Sequence, residues 1–212
     1  MKLYGSTNKR SFNTLKLRAA LAEAGVAYDF VPVDLDKDEN KTAAYLAVNP
    51  HGKVPALLDG DFALPESNAI LWYLADGHPK SGLAPAPDGT IATLRARARI
   101  AQWLDFAQTT LYAAYAEWWN AALGDEPTRR SDVAEAALGK LRRGLGVMET
   151  VLATRDYIAT PTFSVADLSN ASMVFALMRR LPDEPLAKFP RVRAWYDRVA
   201  ARPSFAAAIA GG

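Results

Sequence analysis

Three stretches of this 212-residue chain carry residue types that could bind or activate a small molecule. The first runs Asn49-Pro50-His51-Gly52-Lys53-Val54-Pro55, followed by Asp59-Gly60 and Glu66-Ser67-Asn68-Ala69-Ile70. Val54-Pro55 precedes an apolar run. A cis bond there would face the Val54 backbone outward, free to pair with an extended peptide ligand as an added strand. A proline that merely opens a strand has the same signature. Glu66-Ser67 falls where a strand meets a helix N-terminus. Such a terminus attracts a carboxylate and Glu66 can take an ammonium, so the pair suits a zwitterion, and equally a plain cap beside an acidic neighbour. The second stretch is Ser11-Phe12-Asn13-Thr14-Leu15-Lys16, where Ser11 or Asn13 can cap a helix. The third is aromatic. Tyr112, Tyr115 and Trp119 share one helix face with Trp118 adjoining, as a pocket lining or as core. Trp103 and Phe106 read as core.

The elements that must position these residues follow from periodicity. Leu3-Tyr4 starts a strand. Leu17, Ala20, Leu21 and Ala24 recur as one helix face, which Gly25 stops. Tyr28 to Val33 reads as a strand, Asp34 to Lys41 as a charged loop and Thr42 to Val48 as a short helix. Ala56 to Leu58 and Phe62 to Leu64 flank Asp59-Gly60, a hairpin signal. A helix opens at Ser67, which gives the order βαβαββα. His78 to Gly89 is rich in proline and glycine and reads as a linker. Beyond it only helices are expected: Thr90 to Leu123 unbroken, Ser131 to Leu152 with Gly144 and Gly146 as weak points, Ser164 to Leu181 and Val192 to Arg202. The Ala/Gly-rich tail is expected to fray. Ser164 and Asp167 resemble a capping box, with Phe163 and Leu168 as its hydrophobic staple, so Asp167 reads as structural.

Taken together, the Val54-Pro55 and Glu66-Ser67 stretches resemble the glutathione-binding pattern of the glutathione transferase family, and the element order agrees over nearly the whole chain. The resemblance implies an α/β thioredoxin-like glutathione-binding domain over residues 1–78, a linker over 79–89, and an all-α domain over 90–212 that contributes the electrophile pocket. It implies that glutathione, as co-substrate, pairs with Val54 and sets its γ-glutamyl end on Glu66 and Ser67. Lys53, Asn40, Lys41 and His51 are candidates for its glycyl carboxylate. The Ser-x-Asn pattern of theta-like and phi-like classes falls on Ser11 and Asn13, which makes Ser11 the activator of the bound thiol with Asn13 as its support. Tyr4, Ser6 and Thr7 are rival donors. In the family the aromatic helix borders the electrophile pocket, which implies that role for Tyr112, Tyr115 and Trp119. The expected activity is conjugation of the glutathione thiolate to a small hydrophobic electrophile. Glutathione-dependent reduction of peroxides or small disulfides is a second reading, and a non-catalytic binding module a third. A homodimer is expected.

Composition limits the chemistry further. Half of the residues are hydrophobic and 23% are charged, which argues against disorder. There is no cysteine, so no disulfide and no protein thiolate can form, and His51 and His78 are the only histidines, so a metal site has no support. The formal charge is +2. Arg95, Arg97 and Arg99 fan around a helix, which suggests a solvated surface; no nucleic-acid partner is expected. No run approaches the roughly 18 apolar residues of a membrane span, and the N-terminus lacks a signal-peptide pattern, so a cytoplasmic protein without a membrane partner is expected.

Overall fold

The computed structural model describes residues 1–6, 11–127, 129–181 and 185–211. Thr7, one of the rival donors, lies outside them. The chain divides into two compact units. One holds Met1–Arg97 together with the residues from Ala200 onward, and the other holds Ala98–Val199.

In the first unit, β1 (Lys2–Ser6), α1 (Phe12–Glu23), β2 (Asp29–Val33), α2 (Ala43–Leu46), β3 (Ala56–Asp59), β4 (Phe62–Pro65) and α3 (Ser67–Gly77) follow the expected thioredoxin-like order. The charged loop before α2 ends in a 3-10 turn, Glu39–Lys41. The sheet order is β2-β1-β3-β4, with β1 parallel to β2 and the other pairs antiparallel. Leu3 faces Phe30 on one side and Leu57 on the other. Pro32, which cannot donate to a ladder, is tolerated because β2 is an edge strand. Leu3, Leu17, Leu21, Leu57, Ile70 and Leu74 form the buried core. Gly25 has φ +65° and closes α1: its N–H bonds to Ala22 and that of Val26 to Leu21, satisfying the last carbonyls of the helix.

Two features matter for what α1 carries. A Cβ on Gly5 would lie 2.5 Å from Thr14 Cγ2, so glycine lets the start of α1 press onto β1. At the other end, α9 (Pro203–Ala210) lies along α1. Arg202 clamps Glu23 at 2.7 and 2.8 Å, Ser204 bonds the same carboxylate, and Phe205 is buried. The tail expected to fray is therefore helical as far as Ala210, because its apolar residues find a surface on α1. The Pro- and Gly-rich stretch after α3 also packs, through buried Leu83 and Ala84. Arg97 pairs with Asp76 at 2.8 and 3.1 Å and lies over the Trp72 ring, so this member of the arginine cluster serves structure.

The second unit is helical among its described residues. The long helix expected to run unbroken has three parts: α4 (Ile91–Phe106), a π-helical turn (Ala107–Tyr112) and α5 (Ala113–Leu123). Then come α6 (Ser131–Val151), α7 (Val165–Arg180) and α8 (Pro190–Ala200). Gly144 is a close-packing point of α6, since a Cβ there would come within 2.7 Å of Leu111. The capping box on α7 is present. Asp167 is fully buried and accepts hydrogen bonds from Ser164 N–H, the Ser164 hydroxyl, Ile158 N–H and Trp195 Nε1, at 2.9 to 3.2 Å. Burial pushes its carboxyl above the ordinary range while these donors pull it back. Asp167 thus joins α7, the preceding loop and α8. Asp167→Ala should cost more than the roughly 0.5–2 kcal/mol of a lost cap, because each buried donor it strands adds about 1–3 kcal/mol. Urea unfolding of the variant beside Ser164→Ala checks this, with the smaller loss expected in the serine variant.

Candidate active site

The segment Asn49 to Pro55 is held from behind by three side chains. Tyr45 and Asn49 each donate to the Lys53 carbonyl at 2.6 Å, and Asn40 donates to the Gly52 carbonyl at 2.6 Å. Burial pushes the Tyr45 phenol up to about 12, so it stays protonated and keeps donating at neutral pH. Gly52 has φ +60°, and a Cβ there would sit 3.2 Å from the Asn40 carbonyl. Only glycine suits that position. The Val54–Pro55 bond is cis. The β3 ladder begins at Ala56, and among the described residues no hydrogen bond engages the Val54 backbone. Its N–H and C=O are available to an extended ligand. Asn40 is buried and holds the loop, whereas Lys41, His51 and Lys53 are exposed around it.

The start of α3 differs from the expected cap. Glu66 is the N-cap residue, with φ +68°, and Ser67 is the first helical residue. Glu66 is exposed and Ser67 buried. A non-glycine residue at positive φ costs about 1–3 kcal/mol and is found where surrounding structure enforces it, commonly at ligand sites. Ser67 donates its hydroxyl to Asn13 Oδ1 at 3.2 Å instead of capping α3. That bond brings the N-termini of α1 and α3 together, and with them the positive ends of two helix dipoles.

Ser11 is the N-cap of α1. Its Oγ accepts both the Thr14 N–H, at 3.2 Å, and the Thr14 hydroxyl, at 2.9 Å. A serine hydroxyl has two acceptor sites and one proton. With Thr14 supplying both of these donors, the Ser11 proton is left for a further acceptor. Capping and donation are thus compatible in Ser11. Of the rival donors, Tyr4 packs edge-on against Tyr45 and Ser6 is buried, its N–H on Thr14 Oγ1.

Residues 1–76 match the family model for the glutathione S-transferase N-terminal domain, and residues 108–203 match that for the C-terminal domain. The chain belongs to the glutathione S-transferase family. It is a glutathione transferase, with glutathione as co-substrate. A rice protein (Oryza sativa subsp. japonica) named probable glutathione S-transferase GSTF2 is 37% identical over 96% of this chain and 93% of its own. A solved sphingomonad glutathione S-transferase complexed with glutathione is 34% identical, covers 99% of this chain and 98% of its own, and superposes with a TM-score of 0.83. A glutathione S-transferase-I bound with lactoylglutathione, 31% identical, covers 100% and 99% with a TM-score of 0.83.

In the transferase's second unit, Tyr112 is 39% exposed, while Trp118 is buried. Tyr115 and Trp119 are half-buried, 6.0 Å apart, and pack against the Trp118 cluster between α5 and α6. Arg180 lies over Trp119. A cleft of about 430 Å³ between the π-helical turn, α5 and α6 is lined by Thr109, Thr110, Glu117, Lys140, Arg143 and Gly144, with none of the three aromatics among its walls. Among the described residues no group of His, Asp or Glu could hold a metal ion, and no helix is long and apolar enough to cross a membrane.

Sequence reasoning missed Gly5, Thr14, Tyr45 and Asn49, which position the loop and Ser11 without touching a ligand. Thr14 could have been found from the Ser-x-x-Thr spacing at a helix start. The other three depend on contacts that only the fold creates. Asn49→Ala would leave the Lys53 carbonyl with one donor instead of two, loosening the Val54 edge. The expected outcome is a KM for glutathione raised about 5- to 30-fold, the equivalent of roughly 1–2 kcal/mol, with kcat at saturation little changed. Initial-rate kinetics at fixed electrophile checks it.

Proposed function

We propose that the protein conjugates the glutathione thiolate to a small hydrophobic electrophile, with Ser11 donating a hydrogen bond to the thiolate. The observation that carries this reading is the Ser11 hydroxyl at the start of α1, whose oxygen accepts from both the N–H and the hydroxyl of Thr14 and so keeps its own proton to donate. Glutathione's cysteinyl backbone pairs with the free Val54 edge. Its γ-glutamyl carboxylate takes the Ser67 N–H and the α3 terminus, and its ammonium takes Glu66. Lys41, Lys53 and His51 hold the glycyl carboxylate, and Asn40 acts on it through the loop. Of the three aromatics, the exposed Tyr112 is the candidate contact for the electrophile.

A free thiol has a pKa of about 8.5, so only a few per cent is thiolate at neutral pH. Lowering it by about two units takes roughly 2.7 kcal/mol of preference for the anion. One charge-assisted hydrogen bond contributes about 1.5–3 kcal/mol and the terminus of a helix about 0.3–1 kcal/mol, which reaches that order. No acidic residue in the first turn of α1 opposes it. The thiol proton leaves to solvent. The sulfur then forms a C–S bond as the leaving group departs with its bonding pair, or as that pair moves onto an activated acceptor. The thiolate comes with the ligand, since the chain has no cysteine of its own.

Ser11→Ala should raise the pKa of the bound thiol by about one to two units. Ultraviolet thiolate absorbance of the glutathione complex, titrated in wild type and variant, measures it; an unmoved titration would reduce Ser11 to a cap. Panels of aryl halides, isothiocyanate-type acceptors and organic peroxides separate conjugation from peroxide reduction.

The working assembly we assign is a cytoplasmic homodimer. Ile91 and Leu94, at the start of α4, are exposed apolar residues suited to a partner surface. Light scattering on the purified protein should return twice the chain mass.

A further inference from the structure

Lysine is almost never fully buried unless it is paired. Lys16, on α1 three residues beyond Asn13, has 0% exposure. Its amine donates to Asn68 Oδ1, the second residue of α3, at 2.8 Å, and Glu66 is the charged side chain whose attraction acts on it. It therefore lies beneath the same three residues, Glu66, Ser67 and Asn68, that open α3. We propose that Lys16 is a buried positioning charge for the γ-glutamyl end of glutathione, so that binding of the ligand is coupled to protonation of its amine.

The proposal rests on the reading of Glu66 and Ser67 as the γ-glutamyl site. Its physical basis is a balance of burial and charge. Burial brings the Lys16 amine down from its ordinary 10.5 to about 7, with Glu66 pulling back upward. The group therefore changes charge near neutral pH. From α3 it is faced by Glu66 and the uncharged Ser67 and Asn68. Arg202, the N-cap of α9, is engaged by Glu23, about two turns farther along α1, and Arg18 of α1 reaches the Gly211 carbonyl. A ligand carboxylate seated at the start of α3 adds negative charge above the amine and favours its protonated form. By linkage, the protonated form must then bind the ligand more tightly, and binding must take up a proton where the free amine is neutral. The ammonium on Glu66 acts in the opposite sense; with the carboxylate seated at the α3 terminus as the nearer charge, affinity is highest below the free-state titration and falls as pH rises through it. This opposes the thiol, whose ionisation increases with pH.

S-methylglutathione separates the two effects, because it has no thiol to titrate. Its binding, measured by calorimetry in phosphate and Tris buffers from about pH 6 to about pH 8.5, should weaken by about tenfold for each unit by which the ligand raises the amine's titration. The difference between buffers should show net proton uptake near the midpoint. Lys16→Arg keeps the charge at every pH, so it should hold the affinity seen at pH 6 and lose the pH dependence. Lys16→Met should bind weakly throughout. A flat affinity without proton uptake in wild type, or a slope unchanged in Lys16→Arg, overturns the proposal while leaving the glutathione reading intact. Absence of S-methylglutathione binding at every pH overturns both. If Lys16→Met fails to fold, wild-type proton uptake and Lys16→Arg still decide.

Discussion

The hydrogen bond from Ser67 to Asn13 is the constraint on which the rest of the first unit's chemistry depends. It ties the first residue of α3 to the second residue of α1, so two helix N-termini open toward one place. Each terminus leaves backbone N–H groups without helical partners. Brought together, they make a region favourable to negative charge. The positive φ of Glu66 belongs to the same constraint. The chain leaves β4 and must enter α3 with Ser67 turned inward to Asn13, and Glu66 takes the local strain that this requires.

The supports of this arrangement are mostly residues that touch no ligand. Gly5 admits Thr14 close to β1, Thr14 fills the acceptor sites of Ser11, and Ser11 is left as a donor. Tyr45 and Asn49 share one carbonyl of the loop while Asn40 holds the next carbonyl back. The result is a backbone edge fixed without a strand partner. An edge of that kind is normally a liability, and here it is kept short and adjacent to a proline.

The element order of the first unit was legible because its periodicities are clean and its turns carry glycine, proline or Asp-Gly. The family was legible because Val54-Pro55 and Glu66-Ser67 lie at a spacing that resembles its pattern. What could not be read from the sequence was the consequence of contact. Ser67 has the type and position of a cap, but the proximity of Asn13, 54 residues earlier, draws its hydroxyl elsewhere. Lys16 sits on a face that periodicity alone does not mark as buried. The π-helical turn at Ala107–Tyr112 follows no local signal, and Gly144, which looks like a weakness in α6, is where α6 meets Leu111. The Ala-rich tail lacks strong signals of its own and is helical because α1 gives it a surface.

That last contact bears on how the protein is made. The unit that carries Ser11, Val54 and Ser67 is discontinuous in the chain: its closing helix, α9, is translated only after the hundred or so residues of the second unit. Until residues beyond 202 have left the ribosome, the outer side of α1 lacks Phe205, and Glu23 lacks Arg202. The second unit, continuous from Ala98 to Val199, is under no such restriction. During synthesis the helical unit can therefore reach its final packing before the unit whose strands precede it in the chain, reversing the N-to-C sequence in which nascent domains usually mature.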